Sequence, residues 1–574
     1  MSLIRNTNEL WAFVLVETLK RLGLTCAVIC PGSRSTPLAV AFAQKAPKIE
    51  VIPILDERSA GFFALGRARV TKKPVAVVCT SGTAGANFYP AVIEAYESCV
   101  PLLLLTADRP QELRFCHSGQ TIDQVKLYGN YPNWQAELAI PGATLNLLTY
   151  LRQTIIHAWE RCLSPQPGVV HLNIPFRDPL APVRDGIDLT SLQSEINSED
   201  FWRHIKSLSP LPLTLSPLPL PPSSRGIIIA GIAQPLIDDQ YCNQVALLAR
   251  ALNYPVLAEG LSPVRNHAHL NPYIISTYDS ILRNADFREK LAPEFAILIG
   301  EMPTSKELRT WLQQTQPQLL IIDKSFRNLD SLHLRTSHLR VDICELNEFP
   351  TLPTTTYLED WRHIETKTRI TLDKTFEQIS EMLECKAAWL LSQILPPKTP
   401  LFIANSMPVR DIEFFWKPNN LGIKAFVNRG ANGIDGTLST ALGVAHRNQS
   451  SVMLTGDLAL LHDTNGFLIR KKFIGHLTIV LINNNGGGIF EMLPISKFEP
   501  PFEELFATPQ DIDFAKLSAT YDIEHEIITS WDLLKEKLNP LPTSGIRILE
   551  LPTNRKHDAK WRKDNLGKFA NNID

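Results

Sequence analysis

The stretch Val480–Phe490 reads VLINNNGGGIF, and it changes abruptly from apolar residues to asparagine to glycine. Val480, Leu481 and Ile482 form a run typical of parallel strands that are buried on both faces. The asparagines end that run, because each buried amide needs hydrogen-bond partners. The glycines remove the side chains that keep a backbone away from its neighbours. Taken alone, the stretch is more typical of a tight turn than of a strand end where the backbone approaches a ligand.

Length and composition limit the class of protein. The 574 residues exceed what one core can hold, so we expect about three or four domains. Apolar residues make up 44% and charged residues 20%, as in ordinary globular proteins. The net charge of −2 gives no reason to expect nucleic acid or an anionic membrane as a partner. No apolar run approaches the roughly 18 residues of a transmembrane helix, and the nine scattered cysteines form no CxxC pair, which favours a reducing cytoplasmic location.

Apolar runs followed by helical patterns recur along the chain and predict its fold. The runs include CAVIC, PVAVVC, PLLLL, GVVHLNIP, RGIIIAG, FAILIG, LLIID, LFIAN, SVML, LTIVLINN and IRILELP. Such alternation is typical of parallel sheets covered by helices. We therefore predict an α/β protein with three domains, each built on a mostly parallel sheet, at residues 1–198, 199–355 and 356–574.

Two breaks in composition lie near the predicted domain limits. The stretch Ser207–Arg225, SLSPLPLTLSPLPLPPSSR, is rich in proline, leucine and serine. Its prolines favour an extended, semi-rigid connection without a helix. A similar break in composition occurs around residues 350–360.

Two polar strand ends predict a metal site. Asp457 follows the apolar run SVML, and Asn484 lies about one helix and one strand further along the chain. Ligands of open parallel sheets bind beyond the carboxyl ends of the strands, where these two residues can end side by side. A carboxylate, an amide oxygen and a free glycine carbonyl suit Mg²⁺, which completes its octahedron with phosphate oxygens and water. Nearby glycine amides can receive phosphates at a helix N-terminus.

Several motifs together resemble one family. GDLALLHDTNG followed by LINNNGG is similar to the thiamine-diphosphate-binding motif, although Leu458 stands where a small residue is usual. The chain also resembles the family of 2-succinyl-5-enolpyruvyl-6-hydroxy-3-cyclohexene-1-carboxylate synthases, enzymes of menaquinone and phylloquinone biosynthesis. The motifs that carry this resemblance are PGSRSTPL, DERSAGFFALG, TSGTAGANFYPAVIEA, LLTADRPQEL, NSMPVRD, NRGANGIDGTLSTA and NNNGGGIF. Little of residues 185–290 contributes to it.

The resemblance implies an activity and its cofactors. Thiamine diphosphate and Mg²⁺, or Mn²⁺, would bind between two subunits of a homodimer or of a dimer of dimers. The three predicted domains would be a pyrimidine-binding, a central and a diphosphate-binding domain. The implied reaction decarboxylates 2-oxoglutarate and adds the resulting succinyl semialdehyde carbanion to isochorismate. The implied partners are therefore small molecules, and neither nucleic acid nor a membrane is expected.

The resemblance also assigns roles around the cofactor. Glu57, at the end of the apolar run in VIPILDERSAG, matches the catalytic glutamate. A carboxylic acid at N1′ of the aminopyrimidine promotes the tautomer that takes the thiazolium C2 proton. Ile434 matches an aliphatic wedge that bends the cofactor, and Asp457, Asn484 and the Gly486 carbonyl match the metal ligands. The other implied cofactor contacts are Ser406, Gly456, Leu458, Ile489 and Phe490.

Both implied substrates carry two carboxylates, so several cations are expected, preferably guanidinium groups. Four arginines stand at predicted strand ends, and a lysine adds one cation from the central domain: Arg34, Arg109, Arg410, Arg429 and Lys306. Ser33 and Gln120 match neutral substrate contacts of the family. Gly119 stands where the family usually has an asparagine.

The expected division of labour separates the two substrates. We expect Arg410 chiefly to hold the distal carboxylate of 2-oxoglutarate, and Arg34 with Arg109 chiefly to hold isochorismate. Arg34, Gln120, Arg410 and Arg429 count with Glu57 as the predicted catalytic set.

Two other functions compete with this interpretation. One is another thiamine-diphosphate enzyme, such as an acetohydroxyacid synthase or a simple 2-oxo acid decarboxylase. A small neutral acceptor needs no arginine cluster, which argues against that alternative. The second is a non-catalytic, cofactor-binding subunit, and the presence of Glu57, Asp457 and Asn484 argues against it.

Overall fold

The computed structural model describes residues 4–203, 205, 223–346, 348–353 and 355–571. Within these ranges the strands form three six-stranded sheets, and their paired strands run parallel. The predicted α/β fold with three mostly parallel sheets is confirmed. The domain limits stay a prediction, and the extended connection predicted for Ser207–Arg225 lies outside the described residues except for its last three positions.

The first sheet has the strand order β2-β1-β3-β4-β6-β5. Its strands are β1 Cys26–Ile29, β2 Glu50–Pro53, β3 Val75–Cys79, β4 Leu102–Asp108, β5 Trp134–Glu137 and β6 Val169–Pro175. Its helices are α1 Thr7–Leu22, α2 Thr36–Ala43, α3 Glu57–Thr71, α4 Thr83–Ala86, α5 Tyr89–Glu97, α6 Leu145–Leu163 and α7 Thr190–Asn197. Strands β1, β3, β4 and β6 are buried along their whole length, as their apolar runs predict.

The second sheet has the order β12-β11-β10-β7-β8-β9. Successive strands are added on one side of β7 up to β9 and then on its other side from β10, as in doubly wound folds. Its strands are β7 Gly226–Ala230, β8 Val256–Ala258, β9 Ile274–Ile275, β10 Phe295–Ile299, β11 Gln318–Ile322 and β12 Arg335–Leu339. Its helices are α8 Asp238–Leu252, α9 Tyr278–Ile281, α10 Ala285–Lys290 and α11 Lys306–Thr315.

The third sheet has the order β14-β13-β15-β16-β18-β17. The helices that follow the second sheet in the chain are α12 Thr356–Gln378, α13 Glu384–Ile394, α14 Met407–Phe415, α15 Thr437–Ala445, α16 Asp457–Leu461, α17 Gly488–Glu491, α18 Phe514–Thr520, α19 Trp531–Leu538 and α20 Arg555–Asn565. The strands are β13 Pro400–Ile403, β14 Lys424–Val427, β15 Ser451–Gly456, β16 His476–Asn483, β17 Glu524–Ile527 and β18 Gly545–Pro552. The apolar residues that open VLINNNGGGIF lie in β16, between β15 and β18, so the predicted buried strand is present.

The chain divides into two compact units. The first comprises Met1–Pro212, Asn428–His446 and His462–Ile474, and it contains the first sheet together with α15. The second comprises Leu213–Val427, Arg447–Leu461 and Gly475–Asp574, and it contains the second and third sheets. None of the described helices combines the length and the hydropathy that crossing a membrane requires.

Candidate active site

The second unit brings Asp457, Asn484 and Gly486 together, as the sequence predicts. Gly456 of β15 pairs with Ile482 of β16, so the two strands end side by side. Asp457 begins α16, and its Oδ2 accepts a hydrogen bond of 2.8 Å from the Gly486 amide. Its Oδ1 accepts one of 2.7 Å from the amide of the next residue. The three predicted metal-site residues therefore lie beyond the carboxyl ends of two neighbouring central strands of the third sheet.

The oxygens of this cluster fit a hard cation. Asn484 Oδ1 is buried and accepts no hydrogen bond from the described residues, although its Nδ2 donates to Glu384 Oε1 at 2.5 Å. Burial raises the pKa of Asp457 to about 6, against the opposing effect of hydrogen bonds from backbone amides. A divalent cation would satisfy the amide oxygen and stabilise the carboxylate. In the described ranges no group of three His, Cys, Asp or Glu side chains could hold a metal ion. A cation at this position would therefore bind one carboxylate together with neutral oxygens.

The glycines and asparagines of the VLINNNGGGIF stretch shape the loop after β16. Gly486 has a φ of +145°, which side chains with a Cβ rarely adopt, and a Cβ there would lie 2.5 Å from the Ala507 carbonyl oxygen. Asn485 has a φ of +54°, and its side-chain oxygen accepts two backbone hydrogen bonds from residues 510 and 511. The predicted cofactor contacts Gly456, Leu458, Ile489 and Phe490 are half-buried near this loop.

Ser406 and Arg410 lie at the start of α14, beyond β13. Ser406 has φ +72° and ψ −128°, a strained conformation that is enriched at functional sites. Arg410 Nη1 donates to the Ser406 carbonyl at 2.6 Å. The expectation that Arg410 stands at a strand end is wrong, because α14 begins at Met407, shortly after β13 ends, and places Arg410 in its first turn.

The first unit places Glu57 at the beginning of α3. The interpretation of Glu57 as a strand end is wrong in detail, because β2 ends at Pro53 and the Asp56 side chain caps α3 by accepting the Arg58 amide. Hydrogen bonding to Arg58 holds the pKa of Asp56 at about 2. Asn87 Nδ2 donates to Glu57 Oε2 at 3.4 Å. Glu57 thus projects from a firmly capped helix N-terminus.

Two further side chains hold the first turn of α3. Asn465 Nδ2 donates to Asp56 at 2.8 Å, and Ser59 Oγ donates to buried Asp463 at 3.4 Å. Asp463 also accepts the Ser439 amide at 2.7 Å, and burial raises the pKa of Asp463 to about 6. Sequence analysis missed Asn465 and Asp463, because their hydrogen-bond partners lie some four hundred positions away in the chain or on another helix.

Arg34, Arg109 and Gln120 converge beyond β1, β3 and β4. Arg109 Nη1 donates to the Ser81 hydroxyl and, at 2.6 Å, to the Gln120 carbonyl. Gln120 Nε2 donates to the Ser81 carbonyl at 3.0 Å. Burial and then the nearby Arg34 lower the pKa of Arg109, so the two guanidinium groups repel each other. Ser33, in the same loop as Arg34, is exposed.

A loop at residues 428–436, which carries Arg429 and Ile434, is held by a carboxylate that sequence analysis missed. Glu94 of α5 is buried and accepts the Gly430 amide at 3.0 Å and the Ala431 amide at 2.7 Å. Arg69 and Ser98 donate to Glu94 at 2.9 and 2.7 Å. Glu94 thereby fixes the backbone between two predicted site residues. Nothing in the sequence around Glu94 indicates this distant contact.

Lys306 is the exposed first residue of α11 and belongs to the second sheet. It lies in the second unit with Asp457 and Asn484, but on a different sheet from them. Its predicted substrate contact stays a prediction.

Comparison with known families defines the class of this protein. A model described as "Thiamine pyrophosphate enzyme, N-terminal TPP binding domain" matches residues 11–127. A second, described as "Middle domain of thiamine pyrophosphate", matches residues 214–403. The crystal structure of benzoylformate decarboxylase from Polynucleobacter necessarius shares the fold with a TM-score of 0.66 and 16% identity, over 95% of this chain and 98% of that one. The fold and the matched domains are those of the thiamine-diphosphate-dependent enzymes.

Full-length relatives narrow the class. The 2-succinyl-5-enolpyruvyl-6-hydroxy-3-cyclohexene-1-carboxylate synthase of Nostoc sp. (strain PCC 7120) is 66% identical, covering 99% of this chain and 98% of its own. The synthase of the same name from Gloeothece citriformis is 61% identical, with 99% of both chains covered. The chain belongs to this synthase family, as the resemblance indicates.

Proposed function

We propose that this enzyme decarboxylates 2-oxoglutarate and joins the remaining four-carbon unit to isochorismate. The products would be CO₂ and 2-succinyl-5-enolpyruvyl-6-hydroxy-3-cyclohexene-1-carboxylate, in the cytoplasmic synthesis of menaquinone or phylloquinone. The observation that carries the proposal is the convergence of Arg34 and Arg109 beside Gln120. Arg34 and Arg109 carry like charges, and the charge of Arg34 lowers the pKa of Arg109. An anionic ligand between the two guanidinium groups would stabilise both, and isochorismate carries two carboxylates.

Different residues would bind the two ends of the cofactor, its diphosphate and its aminopyrimidine. Thiamine diphosphate, when bound, supplies the nucleophilic carbon and the electron sink that decarboxylation of a 2-oxo acid requires. Asp457, Asn484 Oδ1 and the Gly486 carbonyl would hold Mg²⁺ or Mn²⁺ against the diphosphate. The half-buried side chains Ile489 and Phe490 would line the site and exclude water.

The remaining residues orient the reacting groups. Glu57 would hold a proton at N1′ of the aminopyrimidine, from a helix start that Asp56 caps. Ile434 would support the bent cofactor, and Arg429 would approach the substrates from the same loop. Arg410 would bind the distal carboxylate of 2-oxoglutarate beside Ser406. Sites of this kind lie between subunits in the family, so we propose a homodimer or a dimer of dimers.

Product identification tests the proposal. The purified full chain is supplied with isochorismate, 2-oxoglutarate, thiamine diphosphate and Mg²⁺, and the products are identified by mass spectrometry. We expect CO₂ and the succinylated cyclohexene carboxylate in equal amounts, and metal removal with a chelator should abolish both. Faster decarboxylation of pyruvate than of 2-oxoglutarate would instead identify a different 2-oxo acid enzyme. No turnover at saturating cofactor would indicate a non-catalytic subunit.

A further inference from the structure

Asn484 can serve a cation only in one of the two orientations of its amide. To bind a cation together with the Asp457 carboxylate, its Oδ1 must point toward that carboxylate and its Nδ2 must point away from it. In the structure Nδ2 faces Glu384 and donates to Oε1 at 2.5 Å, whereas Oδ1 is buried without a donor among the described residues. A carboxylate only accepts hydrogen bonds, so the reversed amide would set its oxygen against the Glu384 oxygens.

Glu384 is itself fixed from several sides. It is 3% exposed, and it begins α13 with its amide donating to Asp558 Oδ1 at 2.8 Å. Arg562 Nη2 donates to Glu384 Oε2 at 2.8 Å. Oε1 accepts the hydrogen bond from the Asn484 amide and a longer one, of 3.5 Å, from the Thr553 hydroxyl. Arg562 also pairs through two nitrogens with Asp411, at 2.9 and 2.6 Å. The Glu384 carboxylate therefore has one position, and that position selects the amide orientation.

A small residue makes room for this contact. A Cβ at Gly488 would lie 2.8 Å from Asn484 Nδ2, so any side chain there would displace the amide from its present position. The third glycine of VLINNNGGGIF is thus required by packing against the amide.

We propose that Glu384 is a positioning residue that orients Asn484 Oδ1 toward the divalent cation. The proposal rests on the cation site proposed above, and it adds a residue that binds neither metal nor substrate. Residues that orient metal ligands typically change metal affinity by about 10- to 100-fold when they are replaced.

The experiment measures Mn²⁺ affinity of the full-length protein at saturating thiamine diphosphate, with free Mn²⁺ read by electron paramagnetic resonance. Glu384→Gln should weaken binding about 10- to 100-fold, because a glutamine amide can donate or accept and no longer selects one orientation. Glu384→Asp keeps the charge beside Arg562 but shortens the reach toward Asn484, and it should weaken binding similarly. Glu413→Gln replaces another fully buried glutamate with an arginine neighbour, Arg265, and should leave Mn²⁺ affinity unchanged.

A reciprocal exchange separates orientation from general damage. In the double variant Glu384→Gln/Asn484→Asp, the glutamine can donate to the new carboxylate, whose second oxygen faces the cation in either orientation. Mn²⁺ affinity should return to within about threefold of the unchanged protein. The proposal is overturned if both single Glu384 variants bind Mn²⁺ within threefold of the unchanged protein, or if the double variant binds as weakly as Glu384→Gln. Failure of the unchanged protein to bind Mn²⁺ would overturn the cation site itself, a distinguishable result.

Discussion

Replacing Glu94 by glutamine tests whether one buried carboxylate holds the 428–436 loop. The carboxylate accepts four hydrogen bonds, two from loop amides and one each from Arg69 and Ser98. A glutamine offers one oxygen and one NH₂ group in the same space, so at least one donor meets another donor. Arg69 is 5% exposed and loses its charged partner.

The expected magnitude follows from this burial. Breaking a buried ion pair by removing one partner costs about 3–5 kcal/mol. In a unit of this size each kcal/mol lowers Tm by about 2–4 °C, so the transition of the first unit should fall by roughly 6–20 °C. The loop carries Arg429 and Ile434, and a displacement of about 1 Å near reacting groups can lower the rate by about 10²-fold. We expect kcat to fall about tenfold or more at temperatures where the variant is folded.

Calorimetry and steady-state kinetics measure the two effects, with Glu17→Gln as the matched control. Glu17 is a buried glutamate of α1 that pairs with Lys45 at 2.7 Å and has no contact with the loop among the described residues. The control should lose stability but keep kcat. A Glu94→Gln protein with a Tm within about 2 °C of the original and unchanged kcat would refute the assigned role.

Three other perturbations test the proposed site. Glu57→Gln should still bind thiamine diphosphate but slow exchange of the thiazolium C2 proton by about 10²- to 10⁴-fold; exchange at the original rate in NMR would contradict the role of Glu57. Arg410→Ala should prevent single-turnover CO₂ release from 2-oxoglutarate, whereas Arg109→Ala should release CO₂ and fail to consume isochorismate. Each variant should lose roughly 2–5 kcal/mol of substrate binding. Equal defects of the two variants in CO₂ release would refute the division of labour. Asp463 has its pKa raised by burial from 3.8 to about 6, so folding favours its protonated form and its contribution to stability falls as pH rises from about 4 to 6. The Tm of the cofactor-free protein minus that of Asp463→Asn should therefore decrease across that window and level off above it, and a difference independent of pH would contradict the buried, titrating carboxylate.

Most interior strands of the sheets could be predicted from sequence, whereas three of the edge strands could not. Strands such as β4 and β16 are continuous apolar runs because both of their faces are covered. The edge strands β5, β12 and β17 read WQAE, RTSHL and EHEI, and their residues are half-buried or exposed. Such strands are defined by pairing with a neighbour rather than by an apolar pattern, so the sequence analysis identified none of them.

The same distinction holds for the candidate site. Asp457 and Asn484 could be found because each directly follows a recognisable buried strand, and their spacing fits one strand-helix-strand unit. Glu94 and Glu384 could not be found, because they lie on helices and act on loops that are distant in the chain. Their local sequences contain no motif that indicates these contacts. Long-range hydrogen bonds of this kind appear only when the chain is folded.

The first and third sheets have the same strand order when each is numbered from its own first strand. This internal symmetry makes Arg109, after the fourth strand of one sheet, the counterpart of Asn484, after the fourth strand of the other. Glu57 and Arg429 follow the second strands and are counterparts in the same way. Two sheets of the same topology thus carry different functional residues on equivalent loops. A change of ligand requires new residues in such a loop, while the sheet that supports the loop is retained.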